Sequence, residues 1–596
     1  MRRFFRLTTA AALSLAAAST LAQADVSKFL PGDSLVVVKV SNLKETSDKI
    51  AKFTSKLGIN MFVPQLANPL EALKTNLNIK GGINDAGELA FVFKKPAEGA
   101  TPDQSMFILV PVSDYAAFVG GLENAKTEGE ITSITPEGGK ETYVASWGDY
   151  AVLSPDKAIV EAKPSDLLVL DGKAKENFAG SDAVIYSNLK ELESVLGADL
   201  AKQKDKAKEQ FLAELKDQPN FQPELEPLMS AAFDQGYGAV EAFVRDGKAS
   251  TISLNFVEAG VTAKLVTEFK DGSYLKTAFS GLKNTDAPLT AGLPAGNYVA
   301  FGGMFNSSAG LQKIIDDFAG PILAEVPKDE KYAIVAKAEA VIKEFNAATK
   351  RVGFGALTPT GQIGKESLVQ FVGFNEGDPV GLAKVSAEII SLQNEIQQLA
   401  SGAEGLKYKS EVTKAGKTVA GVAFDEVATT FEADPNDPFA AQQLQAVEMM
   451  YGPGPLKQYT GISGDKAITF MGVSDETAAA LVESAKANAT TIASLPQVKV
   501  TSSNIAKSRF MEYYIGLDQI VTAGASAAGQ MGMPVQFPPL PNDLEPIGIT
   551  VGADQGALQV DGFVSTRLLQ TLISAGMQVM GQMQGGGGGG GGPGGL

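Results

Sequence analysis

The five residues Ser41-Asn42-Leu43-Lys44-Glu45 recur letter for letter at Ser187-Asn188-Leu189-Lys190-Glu191, each time where a short apolar run passes directly into a helix-forming one. Before the first copy, Pro31-Gly32-Asp33 supplies turn chemistry and residues 35–40 form an apolar run of strand type. After it, Leu43, Ile50, Phe53 and Leu57 fall on one helical face, Asn42 with Glu45 makes a capping-box variant, and Gly58 is the stop signal. The second copy follows the strand-like run 183–186. A looser copy follows Leu293-Pro294, with a strand over 298–301, cap candidates at 306–308, and Leu311, Ile314, Ile315 and Phe318 at helical spacing. Such duplication reports architecture, not chemistry.

Between the copies, 89–93 and 106–112 read as strands, and a helix starts at Ser113-Asp114 with Tyr115, Phe118, Val119 and Leu122 on its apolar face. Residues 142–146 and 150–153 form a hairpin around Gly148-Asp149, followed by a short helix over 155–162. The charged run 202–209 is a solvated helix face. Residues 239–269 read as three antiparallel strands turning at Asp246-Gly247 and Glu258-Ala259-Gly260.

Beyond Leu293 the order replays. The strand 368–374 with the helix 380–399 answers to 106–122, and 467–473 with the helix from Asp475 answers to 150–162. Residues 510–518 answer to 183–189, and 547–564, folding back at Asp554-Gln555-Gly556, echo the earlier meander. The expected fold class is α+β, in tandem related modules of antiparallel sheets packed with helices. The expected boundaries are a signal peptide at 1–24, modules at 25–175, 176–288, 289–500 and 501–584, and a flexible Gly-rich tail at 585–596.

Residues 1–24 have the order of an export signal: Arg2, Arg3 and Arg6, an apolar middle over 7–21, then Ala22-Gln23-Ala24, which places cleavage between Ala24 and Asp25. Loss of those arginines takes the formal charge from −17 to −20, which disfavours nucleic acid or an anionic membrane surface as a partner. The uncharged stretch 519–542 is broken by Gly and Pro, and 568–583 is amphipathic, so neither reads as a transmembrane span. The expected address is periplasmic or secreted.

Three stretches resemble a known family. The Leu30-Pro31-Gly32-Asp33 start, the Val110-Pro111-Val112-Ser113-Asp114 step with Phe118, and Gly148-Asp149-Tyr150 are similar to those of a family of exported, internally duplicated bacterial proteins of unknown function. The resemblance covers much of 26–200 and, more weakly, 293–490. It implies the fold and the address, and it carries over no catalytic residue.

The chain contains no His and no Cys, which excludes imidazole- and thiol-based nucleophile systems and disulfides. Ser41-x-x-Lys44, Ser154-x-x-Lys157 and Ser187-x-x-Lys190 match serine–lysine nucleophile spacing, but the companion Lys-Thr-Gly is missing and two of the three belong to the repeated cap. Gly364-Lys365 lacks the first glycine and the Ser or Thr of a phosphate loop. The oxygen ligands around Asp434 and Asp437 lack the spacing of a calcium loop, and Asp437 with Pro438 reads better as a helix cap. Met531, Met533, Met577, Met580 and Met583 are a weak candidate set for copper in its reduced state, with helix packing the simpler account. Lone Trp147 reads as packing. No cofactor is expected. The leading expectation is a non-catalytic envelope protein that binds or scaffolds, its partner another envelope protein or an apolar ligand; the alternatives are a carrier of an apolar ligand and a carboxylate-based hydrolase.

Overall fold

The computed structural model describes residues 25–585 apart from 77–78, 97–104, 136–140, 219–220, 222, 307–308, 330–331, 360, 401–405, 435–438, 532–537 and 539. These divide into two units, the first holding the chain up to Asp199 with Gly247–Val257 and Ala263–Glu268, the second Leu200–Asp246, Glu258–Thr262 and the chain from Phe269.

In chain order the first part holds β1 (Ser34–Val40), α1 (Leu43–Lys56), α2 (Pro69–Asn76), β2 (Leu89–Lys94) and β3 (Met106–Pro111). There follow α3 (Tyr115–Gly120), β4 (Lys126–Glu128), β5 (Ile131–Ile134), β6 (Thr142–Ser146), β7 (Tyr150–Ser154), α4 (Lys157–Glu161) and α5 (Gly172–Ala179). Next come β8 (Ala183–Ser187), the helices α6 (Leu189–Lys216) and α7 (Glu226–Asp246), and the strands β9 (Gly247–Val257) and β10 (Gly260–Phe269). The strand order is β4-β5-β6-β7-β3-β2-β1-β8-β9-β10.

The second part opens on α8 (Tyr274–Ser280), β11 (Tyr298–Phe305), α9 (Ala309–Ala324), α10 (Ala333–Ala348), β12 (Thr349–Leu357), β13 (Gln370–Gly377) and α11 (Pro379–Ala400). It continues with β14 (Leu406–Val419), β15 (Val422–Ala433), α12 (Ala440–Tyr451), β16 (Leu456–Ser463), β17 (Lys466–Met471), α13 (Asp475–Ala487) and α14 (Pro496–Ser503). It ends with β18 (Met511–Ile515), α15 (Leu517–Gln530), β19 (Ile547–Asp554), β20 (Ala557–Ser565) and α16 (Thr566–Gly585). Its antiparallel order is β14-β15-β16-β17-β13-β12-β11-β18-β19-β20. The two orders match strand for strand, and the fold is α+β.

The repeated pentapeptide is the same device twice. Asn42 Oδ1 accepts from the Glu45 amide at 3.2 Å, and Asn188 Oδ1 accepts from the Glu191 amide at 3.3 Å, so each Asn satisfies one of the unpaired amides that open its helix. Gly58 takes φ +72 at the end of α1, a conformation that favours glycine.

The first unit has a core on each side of its sheet: on one side Leu43 of α1 and Phe118 of α3 pack on Leu89, Val110, Val144 and Ala151, and the other side holds a larger cluster. Val37, Val92, Phe107, Leu109, Val152, Val184 and Tyr186 pack there with Phe178 of α5. Lys39 is buried on the same side, its Nζ 2.8 Å from Glu88 Oε1 and 4.6 Å from the Phe178 ring centre. In the second unit, Val372, Phe374, Phe301, Tyr514 and Phe470 pack under Leu481 and Val482 of α13 and Val498 of α14. Buried Arg351 donates to Glu376 Oε2, to the Ala291 carbonyl at 2.7 Å and to Asn488 Oδ1 at 2.6 Å, holding the approach to β11 against β12 and the end of α13.

Three expectations change. Residues 239–245 are not a strand: α7 runs through them to Asp246, and Asp246-Gly247 is a helix-to-strand junction, where Asp246 accepts from the Leu275 amide at 3.1 Å. The run Ala239-Val240-Glu241-Ala242-Phe243-Val244 suits helix or strand by period, and packing of α7 on α8 and α9 decides for helix. The expected boundary at 175/176 cuts through a sheet, because β8 pairs with β1, and that at 500/501 does the same between β18 and β11. The strands β4, β5, β12, β14, β15 and β16 carry no strong apolar run and stand outside the expected order. The signal segment 1–24, with Ala24, and the tail from 586 lie outside the described residues.

Candidate apolar binding face

Side chains alternate across a strand, so the residues between the core positions of the first sheet point the other way. Pairing aligns them in one row over six strands: Leu153 opposite Ile108, Ile108 opposite Phe91, Phe91 opposite Val38, Val38 opposite Ile185, and Ile185 opposite Ile252. Every member is apolar and none is buried. At the β8–β9 end, Ile185 is 42% and Ile252 51% exposed, and Phe93 and Leu254 beside the row are exposed as well. Five steps of about 4.8 Å make the row about 24 Å long. Leu153, Ile108 and Phe91 pack against the cluster of Leu43, Leu89, Val110 and Phe118, so the part of the row left to water is its β8–β9 end, where exposed apolar side chains gather as they do at binding surfaces.

The second unit carries a row on the equivalent six strands, running Met471, Phe371, Ala356, Ala300, Ile515 and Ile547, again with no member buried. In the neighbouring row the Phe354 ring lies over Gly302, where a Cβ would come within 3.2 Å of it, and 6.0 Å from the Tyr513 ring. This face is therefore flatter and more aromatic than the first.

The polar clefts have a different character. A cleft of about 750 Å³ in the first unit sets Lys94, Lys95 and Lys163 among Asp33, Asp156 and Asp166. Its charges are engaged locally: Lys94 lies 3.2 Å from Asp33, Asp156 caps α4, and Lys163 sits over the Phe29 ring at 4.9 Å. A smaller cleft of about 300 Å³ lies beside Tyr186, whose phenol burial pushes upward, and beside Lys248, which pairs with Asp171 at 2.7 Å. The six buried carboxylates among the described residues sit apart, each with a structural partner. Asp182 accepts from Lys49 and the Phe256 amide, Asp246 from Arg245, Glu268 from the Lys173 amide, Glu512 from Arg509, Asp518 from Gln519 and Glu545 from Ser565. Desolvation raises the Asp518 carboxyl above the usual aspartate range, and the Gln519 amide opposes this from 2.8 Å.

The residues singled out from sequence are scattered. Ser41 Oγ donates to the Ser181 carbonyl and Ser154 Oγ to the Met106 carbonyl, while Lys44 pairs with Asp48 and Lys157 with Glu161. Trp147 is buried, and its Nε1 donates to the Val160 carbonyl at 3.1 Å. Met531 ends α15 and is exposed; Met577, Met580 and Met583 lie on α16, and Met533 lies outside the described residues. Asp434 pairs with Lys407 at 2.8 Å, and Asp437 and Pro438 lie outside the described residues. Asp25 Oδ1 accepts from the Ser27 amide at 3.0 Å at the start of the described chain.

Sequence reasoning missed the two apolar rows. The signal was present: Leu35-Val36-Val37-Val38 and Ala90-Phe91-Val92-Phe93 are apolar at consecutive positions, as in strands with neither face given to water. Among the described residues no helix is long and apolar enough to cross a membrane. No protein-family model, curated protein or solved structure matches the chain.

Proposed function

We propose that the chain is an exported, non-catalytic binding protein that takes up an apolar ligand of acyl-chain character on the exposed β8–β9 end of the apolar row of its first unit. The observation that carries this reading is the exposed end of the row, where Ile185 and Ile252 stand in register across β8 and β9 with Leu254 exposed beside them. Leaving such a surface to water forgoes about 25 cal/mol for every Å² that a ligand could cover. Ligand sites are mostly apolar with few polar groups, and the side chains exposed at this end of the row are apolar. The shared strand order supports two copies of one ten-stranded unit, so the second face is a second seat.

The test is titration of the mature chain with the fluorescent fatty acid cis-parinaric acid, alongside mass spectrometry of solvent extracts of the purified protein. Saturable binding that Ile252→Glu weakens at least about tenfold is expected. Absence of saturable binding in the unaltered chain refutes the proposal. Export is tested by sequencing the N-terminus of protein recovered outside the cytoplasm of a bacterial host. Asp25 is the expected first residue, and an intact Met1 there refutes cleavage at Ala24.

A further inference from the structure

The segment that closes α1 holds apolar side chains out into water. Met61 is 75% and Phe62 65% exposed, and Val63 and Pro64 are exposed beside them. They are presented on an ordered turn. The Phe62 and Val63 amides both donate to the Ile59 carbonyl at 2.9 Å, the Leu66 amide donates to the Val63 carbonyl at 3.0 Å, and Thr54 Oγ1 ties the return of the chain to α1 through the Leu66 carbonyl at 3.1 Å.

The charge around the tip is opposite to that of the chain. Residues 49–70 contain Lys49, Lys52 and Lys56 and no Asp or Glu, in a protein of formal net charge −17. Lys49 pairs with Glu45 and Asp182, and Lys52 and Lys56 are exposed in the last turns of α1, next to the tip. The same helix touches the strand that bears the exposed end of the apolar row: Phe53 packs on Phe256 of β9 with ring centres 5.5 Å apart.

We propose that this tip docks on a lipid bilayer bearing anionic headgroups, with Met61, Phe62 and Val63 entering the interfacial layer and Lys52 and Lys56 lying against the headgroup phosphates. Apolar residues bordered by lysine are the composition that binds such an interface. A protein partner fits less well, because a specific interface needs about 800 Å² from each side and the tip offers only three or four side chains. The negative charge of the rest of the chain repels an anionic surface, which confines contact to this place. The proposal gives the apolar-ligand reading a source for its ligand, and it rests on that reading for its purpose only.

The experiment uses the mature full-length chain with Phe62→Trp. The native Trp147 is buried and serves as a constant background. On vesicles of phosphatidylcholine with phosphatidylglycerol the new indole is expected to shift to the blue and saturate. Lys52→Glu with Lys56→Glu, or raised salt, is expected to weaken this about tenfold. Unchanged emission on those vesicles overturns the proposal, as does co-sedimentation that Met61→Ser with Phe62→Ser leaves intact. A blue shift produced by envelope proteins and not by vesicles overturns it too. Fatty-acid titration in vesicle-free buffer is read separately, so loss of the ligand reading and loss of docking are distinguishable.

Discussion

Neighbouring residues of β8 face opposite sides of the first sheet, and charging each in turn tests which side is core at that strand. Val184 is fully buried in the cluster with Val37 and Phe178, while Ile185 lies in the apolar row and is a little under half exposed. An isoleucine gains about 1.5–3 kcal/mol on full burial, so Ile185→Glu forfeits roughly half of that, about 1 kcal/mol, with no charge forced into the interior. Val184→Glu places an unpaired carboxylate in the core at a cost of about 3–5 kcal/mol, a large part of a typical stability of about 5–15 kcal/mol. Ile185→Glu should therefore melt cooperatively within about 2–4 °C of the unaltered protein, whereas Val184→Glu should lose the transition or express as aggregate. Bound ligand would seal the Ile185→Glu carboxylate under apolar surface, so fatty-acid affinity should fall about 10- to 100-fold. The assay is thermal denaturation by circular dichroism beside the fluorescence titration. If Ile185→Glu melts normally and binds as well as the unaltered chain, the row is not the seat. If it collapses like Val184→Glu, the outer face is part of a core.

Asn188→Ala removes the cap on the Glu191 amide and should destabilise the protein by about 1 kcal/mol in chemical denaturation, while Asn188→Asp should largely restore it. The raised carboxyl of Asp518 means that the folded state binds a proton more tightly than the unfolded chain, so stability falls as pH rises above the ordinary aspartate value of 3.8. Asp518→Asn should then be the more stable form at pH 7 and lose its advantage below that value, and a constant difference across the range would contradict the burial argument. At Gly377 a Cβ would lie 1.9 Å from the Ala348 carbonyl oxygen, so Gly377→Ala should cost about 2–4 kcal/mol; Gly320, with open space around it in α9, should gain about 0.5–1 kcal/mol on change to Ala. Calorimetric titration should reach two fatty acids per chain, and Ile515→Glu should reduce this to one while leaving the Ile185 site intact.

Much of the local structure was legible because it rests on residues close in the chain. Asn42 and Asn188 cap their helices through an amide three residues on, and Gln555-Gly556 takes φ +52 and +77, the primed turn that the spacing at Asp554 implied. The strand-and-helix steps matched across the two halves, from β3 with β13 to β8 with β18, also fall where their apolar runs placed them. The long hairpin of β14 and β15 was not legible, since its outer positions from Lys409 to Lys417 are mostly charged or polar and exposed. The last part of α7 was misread for the opposite reason: its apolar spacing suits both helix and strand, and only contact with α8 and α9 separates them.

The chain alone determined the junction at which each strand becomes a helix, because a cap, a turn and the side-chain period are interactions of short range. It also determined that neither His nor Cys chemistry is present. Only the tertiary structure decided that β1 lies between β2 and β8, with partners about 50 and 150 residues away, since that pairing is made by backbone groups that every residue carries. The same pairing settled which residues of each strand share a face. Val37 and Val38 are identical in kind and adjacent in sequence, and one is core while the other lines the apolar row.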